Sequence, residues 1–179
     1  MTAFDIRLVN VDSPTEVDRL YDICLLTGDA GQDASALYSE PRLLGDLYLG
    51  AYLKLYPQFS FALVDDTDTP VGYATGAPDS LKFDQELEES WWPPLREKYS
   101  NASFPEGSGD ARLVGKLMNW GASDAEIAKD YPAHLHIDIL PHAQGGGRGK
   151  SSSSHSSMLF AMRELQVFIW EFREPTHTQ

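Results

Sequence analysis

The sequence predicts an α/β fold of the α+β kind, built as a single domain from residues 1–179. Apolar and polar residues alternate over residues 134–140, which is typical of a strand. Ser13-Pro14-Thr15-Glu16 is a capping box followed by apolar residues at helical spacing. Two apolar runs flank a turn at residues 65–70 that is dense in Asp, Thr and Pro, which predicts a β-hairpin.

The composition favours an ordered, acidic protein. Hydrophobic residues make up 42% and aromatic residues 11% of the chain, enough for a real core. The formal net charge is −13, from 27 acidic and 14 basic residues, which argues against a nucleic-acid partner because such a binder needs a basic face. The acidity favours a cationic acceptor, although acidic surfaces more commonly serve solubility.

Cellular location is predicted from what the sequence lacks. Cys24 is the only cysteine, so no internal disulfide can form. No segment approaches the ~18 apolar residues of a membrane span, and the N-terminus has no signal-peptide pattern. We therefore expect a cytoplasmic protein without a membrane partner.

The first half of the chain is predicted to run strand, helix, helix, hairpin. Residues 4–9 form the first strand, and a helix follows from Ser13 to Gly28 with Cys24 in its core stripe, where a thiol is usually inert. A second amphipathic helix is predicted over residues 42–56. Residues 59–64 and 71–77 pair as the hairpin.

An insertion is predicted at about residues 79–130, before the strand at 134–140. It contains three of the four tryptophans, two of them adjacent at positions 91 and 92. These form either an aromatic wall for an acceptor or the packing of a small flap, and packing is favoured. Ser123-Asp124-Ala125-Glu126 is a further capping box, which predicts a short helix that ends before Pro132.

The segment 131–150 carries most of the functional signal. Leu135, Ile137 and Ile139 would line one face of a strand, and His136 and Asp138 the other. Pro141 ends the strand. The following residues have almost no side chains, and their backbone N–H groups can surround an anion. This loop is Gln144, Gly145, Gly146, Gly147, Arg148, Gly149 and Lys150.

Known phosphate-binding patterns fit this loop to different degrees. A P-loop needs glycine where Gln144 stands, and a dinucleotide fingerprint needs glycine where Lys150 stands. A plain glycine linker is the remaining alternative, since serines follow at once. A third pattern matches: Gln144, Gly147 and Gly149 stand at Gln/Arg-x-x-Gly-x-Gly/Ala spacing after a strand that ends in proline.

This third pattern resembles motif A of the GNAT superfamily of N-acetyltransferases. The resemblance implies a mixed, mostly antiparallel sheet flanked by helices and acetyl-CoA as co-substrate. It also implies that Gln144 to Lys150 hold the pyrophosphate, and that Ile139 and Leu140 contact the pantetheine arm. The string YPAHLHIDILP is in addition similar to the acetyltransferase-like domain at the end of O-GlcNAcases and to its stand-alone microbial relatives.

The resemblance ends after Lys150. Residues 151–179 are serine-rich and divergent, and the family's motif B, which often carries an Asn and a Tyr near the cofactor sulfur, is not recognisable. We expect a C-terminal part that is truncated relative to the family. An apolar strand predicted at residues 166–172 would then have an unpaired edge, which favours pairing of two copies as a homodimer.

The predicted function is acetyl-CoA-dependent transfer of an acetyl group to a primary amine of a small molecule or protein. His136 and Asp138 are the candidate general bases, because they share a strand face and histidine titrates near neutrality. The alternative for either residue is a packing role. No bound metal is expected. The alternative function is a non-catalytic acetyl-CoA-binding or protein-interaction domain, which the missing motif B favours.

Replacing Gly147 or Gly149 with aspartate is expected to abolish CoA binding. Each change adds a side chain where the backbone must approach phosphate, and a negative charge beside an anion. Calorimetric titration with CoA is the measurement. Unchanged affinity in both variants would remove the loop from the binding site.

Overall fold

The computed structural model describes residues 4–144, and their four strands form one antiparallel sheet in the order β1-β2-β3-β4. The strands are β1 (Asp5–Leu8), β2 (Ser60–Val64), β3 (Pro70–Ala77) and β4 (His134–Ile139). The hairpin of β2 and β3 pairs Ser60 with Thr75, and β3 in turn pairs with β4. The predicted α/β class with a mostly antiparallel sheet and flanking helices is confirmed.

Seven α-helices are described between the strands. They are α1 (Pro14–Leu26), α2 (Leu43–Tyr48), α3 (Gly50–Leu55), α4 (Ser80–Glu86), α5 (Trp92–Ser100), α6 (Gly109–Met118) and α7 (Ala125–Asp130). A π-helical turn (Leu87–Trp91) joins α4 to α5, and 3₁₀ turns occupy Pro57–Phe59 and Pro141–Ala143. None of the described helices reaches the length and apolarity needed to cross a membrane.

The single helix predicted over residues 42–56 is wrong, because the chain breaks at Leu49. The φ of Leu49 is −128°, outside the helical range, and α3 starts at the next residue. A side chain at Gly50 would collide with the Tyr21 hydroxyl and the Trp91 indole. The break therefore lets the backbone at Gly50 pack against Tyr21 of α1 and against Trp91. Helical periodicity does not predict such a contact, because these residues are distant in the sequence.

The two predicted capping boxes are each half right. Ser13 caps α1 by accepting a hydrogen bond from the Glu16 N–H at 3.3 Å. The Glu16 carboxylate does not return to Ser13, and instead accepts from Arg7 Nη1 at 2.7 Å and the Asn10 N–H at 2.9 Å. It thereby ties β1 to α1.

At the second box the N-cap is Asp124 instead of Ser123. The Asp124 carboxylate accepts from two N–H groups of α7. Ser123 is held elsewhere, because its N–H donates to Asp84 Oδ2 at 2.6 Å. The helix itself ends at Asp130, before Pro132 as predicted.

The two faces of the sheet have different surroundings. Ala62, Tyr73 and Thr75 lie on the face covered by the helices and are at most 2% exposed. On the opposite face β1 places Ile6 and Leu8. Leu8 is 53% exposed, so this face is not part of the buried core of the described residues.

The segment predicted as an insertion, residues 79–130, packs against α2 and α3 in a second core cluster. Trp92 is 1% exposed and packs with Tyr99 of α5 and Leu117 of α6. Trp91 is partly buried and donates its indole N–H to the Asp46 carbonyl at 2.9 Å. These two adjacent tryptophans therefore have a packing role.

Asp46 links the insertion to the rest of the fold. Its buried carboxylate accepts hydrogen bonds from the Tyr21 hydroxyl of α1 at 3.1 Å and the Tyr99 hydroxyl of α5 at 2.7 Å. Lys98 Nζ lies 3.1 Å away and supplies the counter-charge. Three separate elements thus meet at one anion.

Asp46→Ala is expected to lower the free energy of unfolding by about 2–4 kcal/mol, because it leaves two buried phenol hydroxyls without their acceptor. Denaturant titration is the measurement. Asp66→Ala, which removes an exposed carboxylate from the hairpin turn, is the control and is expected to stay within about 0.5 kcal/mol of the parent. Equal stability of the two variants would contradict the role given to Asp46.

Candidate active site

The candidate site is organised by β4, which pairs with β3 over six residues, from Gly72 opposite Ile139 to Ala77 opposite His134. The Leu140 N–H donates to the Val71 carbonyl at 2.9 Å, which fixes the alternation of the ladder. The N–H and C=O groups of every second residue consequently point away from β3. These residues are Leu135, Ile137 and Ile139, and no described strand pairs with them.

The residues predicted to meet the pantetheine arm lie at the end of this edge. Leu140 is 6% exposed, and the 3₁₀ turn that follows reverses the chain. Gln144 folds back, and its side-chain amide donates to the Ile139 carbonyl at 2.6 Å. The first loop residue is thus adjacent to Ile139. The other predicted cradle residues, Gly145 to Lys150, lie outside the described residues, as does the apolar strand predicted at 166–172.

His136 and Asp138 are brought together on the helix-facing side of β4, as the alternation predicts. His136 Nε2 lies 2.9 Å from Asp138 Oδ2. The same oxygen accepts a hydrogen bond from the hydroxyl of Tyr73, which stands opposite Asp138 on β3. A carboxylate can only accept, so Nε2 carries the proton and the lone pair of a neutral His136 is on Nδ1.

The charge state of this trio follows from its surroundings. Burial acts to raise the pKa of Asp138, but hydrogen bonds from His136 and Tyr73 and the nearby imidazole outweigh it, so the pKa lies below its usual value. Burial, together with the nearby Cys24 and the charge of Asp138, raises the pKa of Tyr73 well above its usual value. Near neutral pH, Asp138 is an anion that fixes the His136 ring, and Tyr73 is a neutral donor.

A second histidine, His134, lies two residues earlier on the same face. Its Nδ1 is 2.7 Å from the Ser80 hydroxyl and its Nε2 is 2.7 Å from the Tyr52 hydroxyl. Ser80 donates its own proton to the Pro132 carbonyl at 2.8 Å, so it accepts from Nδ1, and Tyr52 donates to Nε2. Burial lowers the pKa of His134, which favours this neutral form.

Sequence reasoning did not single out His134. Its alternation with His136 is visible in the sequence, but both hydrogen-bond partners come from segments more than fifty positions away.

A cavity of about 480 Å³ opens beside His134. The insertion supplies most of its wall, through α4, α7 and the segment between α6 and α7. Its lining includes Tyr52, Phe83, Asp84, Trp120, Tyr131 and His134. Trp120 therefore lines the cavity, which Trp91 and Trp92 do not, and the aromatic-wall interpretation stays a prediction for this residue.

Tyr48 connects the cavity to the His136 pair. Its ring centroid is 6.0 Å from that of Trp120 and 6.2 Å from that of His136. The base candidate and the cavity are therefore neighbours on one side of the sheet.

Cys24 is 2% exposed in α1. Burial raises the pKa of its thiol to about 12, opposed by a hydrogen bond with Tyr73. A thiol that stays protonated at neutral pH is a poor nucleophile. Within residues 4–144 there is also no cluster of three or more His, Cys, Asp or Glu side chains suited to a metal ion.

The sheet order and the flanking helices match a GNAT-like, acetyltransferase-type fold. The chain superimposes on the structure described as "Crystal structure of SsHAT" with a TM-score of 0.71 and 27% identity, over 92% of this chain and 77% of that one. The chain is also 29% identical over 131 residues to Protein O-GlcNAcase of Rattus norvegicus and to that of Mus musculus.

The matched region of the O-GlcNAcases is 70% of this chain and only 14% of their length. Their activity as whole proteins therefore lies outside the comparison. No family model matches the sequence.

The Cys24 thiol is expected to be unreactive in the folded protein. A thiol-specific colorimetric reagent at about pH 8 should label it slowly, because its pKa near 12 leaves almost no thiolate and burial blocks access. The same reagent in denaturant, where the thiol regains its ordinary pKa, is the control. Rapid labelling without denaturant would contradict both the burial and the raised pKa.

Proposed function

We propose that this chain is an acetyl-CoA-dependent N-acetyltransferase that transfers an acetyl group to a primary amine. The observation that carries the proposal is the His136–Asp138 pair, held at 2.9 Å on the strand whose other edge is open. The candidate base His136 and the outward backbone N–H and C=O groups of Leu135, Ile137 and Ile139 therefore lie on the same strand. This combination suits an amine attacking an extended thioester.

The open edge of β4 suits the arm of acetyl-CoA. Pantetheine is an extended chain with two amides, and it can pair with the backbone of Leu135, Ile137 and Ile139 as another strand would. Gln144 lies where this edge meets the glycine loop. Arg148 and Lys150 would add positive charge beside the pyrophosphate in the proposed cradle.

Chemistry in this arrangement needs a base, an orienting group and an oxyanion donor. His136 Nδ1 removes a proton from the acceptor ammonium, and Asp138 holds the ring and stabilises its cation. The amine nitrogen then bonds to the thioester carbon. An outward N–H of β4, such as that of Ile139, stabilises the oxyanion. When the C–S bond breaks, the CoA sulfur leaves as thiolate and takes up the second proton, which the nitrogen loses as the amide forms.

The acceptor in this proposal is an amine of a small molecule or a protein, and the formal charge of −13 supports a cationic one. A cytoplasmic location is part of the proposal, supported by the single cysteine. Pairing of two copies through residues 166–172 stays a proposal from the sequence.

His136→Gln and Asp138→Asn are each expected to slow turnover by about 10²-fold or more, since positioned general bases contribute 10²–10⁴-fold. The assay follows free thiol from acetyl-CoA with a panel of primary amines across about pH 6 to 9. Asp66→Asn, an exposed carboxylate on the hairpin turn, is the matched control. Calorimetry should show CoA affinity unchanged in every variant.

Three results would change the proposal. A variant that keeps the parent rate across the whole pH range removes that residue from the mechanism. CoA binding without thiol release from any amine would favour the non-catalytic acetyl-CoA-binding domain. Absence of CoA binding would overturn both.

A further inference from the structure

We infer that the cavity beside His134 is the acceptor site and that it selects amines carrying a second cationic group. This inference rests on the proposed function. It adds the class of acceptor, which the resemblance to acetyltransferases does not supply.

The size and the walls of the cavity suit a small ligand or a side chain. Its volume of about 480 Å³ lies within the range of ~300–1,000 Å³ usual for small-molecule sites. Phe83 and Trp120 line it inside, and Tyr131 and Ile127, each about 60% exposed, stand at its rim. Aromatic faces attract ammonium groups and also cover the methylenes between them.

The charged side chains that line the cavity, among the described residues, are both carboxylates. Asp84 lines it, and among residues 4–144 only its Oδ2 has a hydrogen-bond partner, the Ser123 N–H at 2.6 Å. Among the ion pairs of the described residues none includes Asp84. The other lining carboxylate, Asp124, is occupied in capping α7.

In the described part of the chain no lysine or arginine lines the cavity, and partial burial favours the neutral form of His134. One carboxylate oxygen is thus available to a cation from outside.

An ammonium group of the protein itself already lies beside the Trp120 ring. Lys116 Nζ lies 5.1 Å from the Trp120 ring centroid and 5.0 Å from the Tyr48 ring centroid. It also donates a hydrogen bond to the Tyr48 hydroxyl at 2.8 Å. The aromatic pair between the cavity and His136 therefore accommodates a cation in this fold. A ligand ammonium entering from the cavity side would meet the same type of surface.

The spacing calls for two cationic groups in one ligand. Asp84 interacts electrostatically with His134, and His134 and His136 are two residues apart on one strand face, about 7 Å along the strand. The lining of the cavity includes Asp84 and His134 but not His136, so an amine placed at His136 for deprotonation leaves Asp84 available to another cation. A second ammonium, or a guanidinium, would be held there while the first reacts.

The test compares 1,5-diaminopentane with n-pentylamine, its matched monoamine, by calorimetry on the full chain without acetyl-CoA. The diamine is expected to bind about tenfold more tightly, the effect of one additional charge pair. Asp84→Asn should abolish this preference and leave n-pentylamine affinity unchanged, since asparagine can still accept from the Ser123 N–H. Asp22→Asn, which removes an exposed charge on α1, controls for the overall field and should keep the preference.

A Lys-Arg dipeptide amide is the third ligand to be titrated in the same experiment. Binding of this peptide in place of the diamine, with the same loss in Asp84→Asn, supports the inference and identifies a peptide as the source of the two cations. Equal binding of diamine and monoamine, together with no Asp84-dependent peptide binding, would overturn it.

The outcomes separate this inference from the proposed function. Asp84-dependent diamine binding without thiol release from acetyl-CoA would retain the site and reject the transferase activity. Acetylation of monoamines and diamines at equal rates, unaffected by Asp84→Asn, would retain the activity and reject the site.

Discussion

The backbone pairing of β4 with β3 is the constraint on which the candidate site depends. Six paired residues fix which groups of β4 face in which direction. Side chains of His134, His136 and Asp138 face the helices, whereas the backbone of the residues between them faces the open edge. Because the side-chain period of a strand is two, a register slip of one residue would exchange these sets and move the His136–Asp138 pair together away from Tyr73 and the helices.

Sequence reasoning succeeded where structure is set by neighbours in the chain. The start of α1, the hairpin and the limits of β4 follow from a cap, a turn and an alternation, all local signals. It failed at Leu49, since the helix break there depends on Gly50 approaching Tyr21 and Trp91. It also chose the wrong cap at Ser123, whose N–H is taken by a distant carboxylate.

The same difference between local signals and distant contacts applies to the candidate site. Alternation alone put His136 and Asp138 on one face, but it could not show that Tyr73 completes the pair from a position 65 residues away. The cavity likewise requires the α4 region to meet the segment before β4. Polarity was an unreliable guide to burial, since the apolar Ile137 is 39% exposed while the side chain of Asp138 is only 18% exposed.

The π-helical turn between α4 and α5 acts as a spacer of fixed length. Its extra residue appears as a bond from the Trp92 N–H to the carbonyl five positions earlier, at Leu87. An α-helix rotates about 100° per residue, so a one-residue deletion here would turn all of α5 by that angle. Trp92 and Tyr99 would leave the core together. Substitutions of the exposed residues of this turn, Glu88 to Ser90, are therefore tolerated better than changes of chain length.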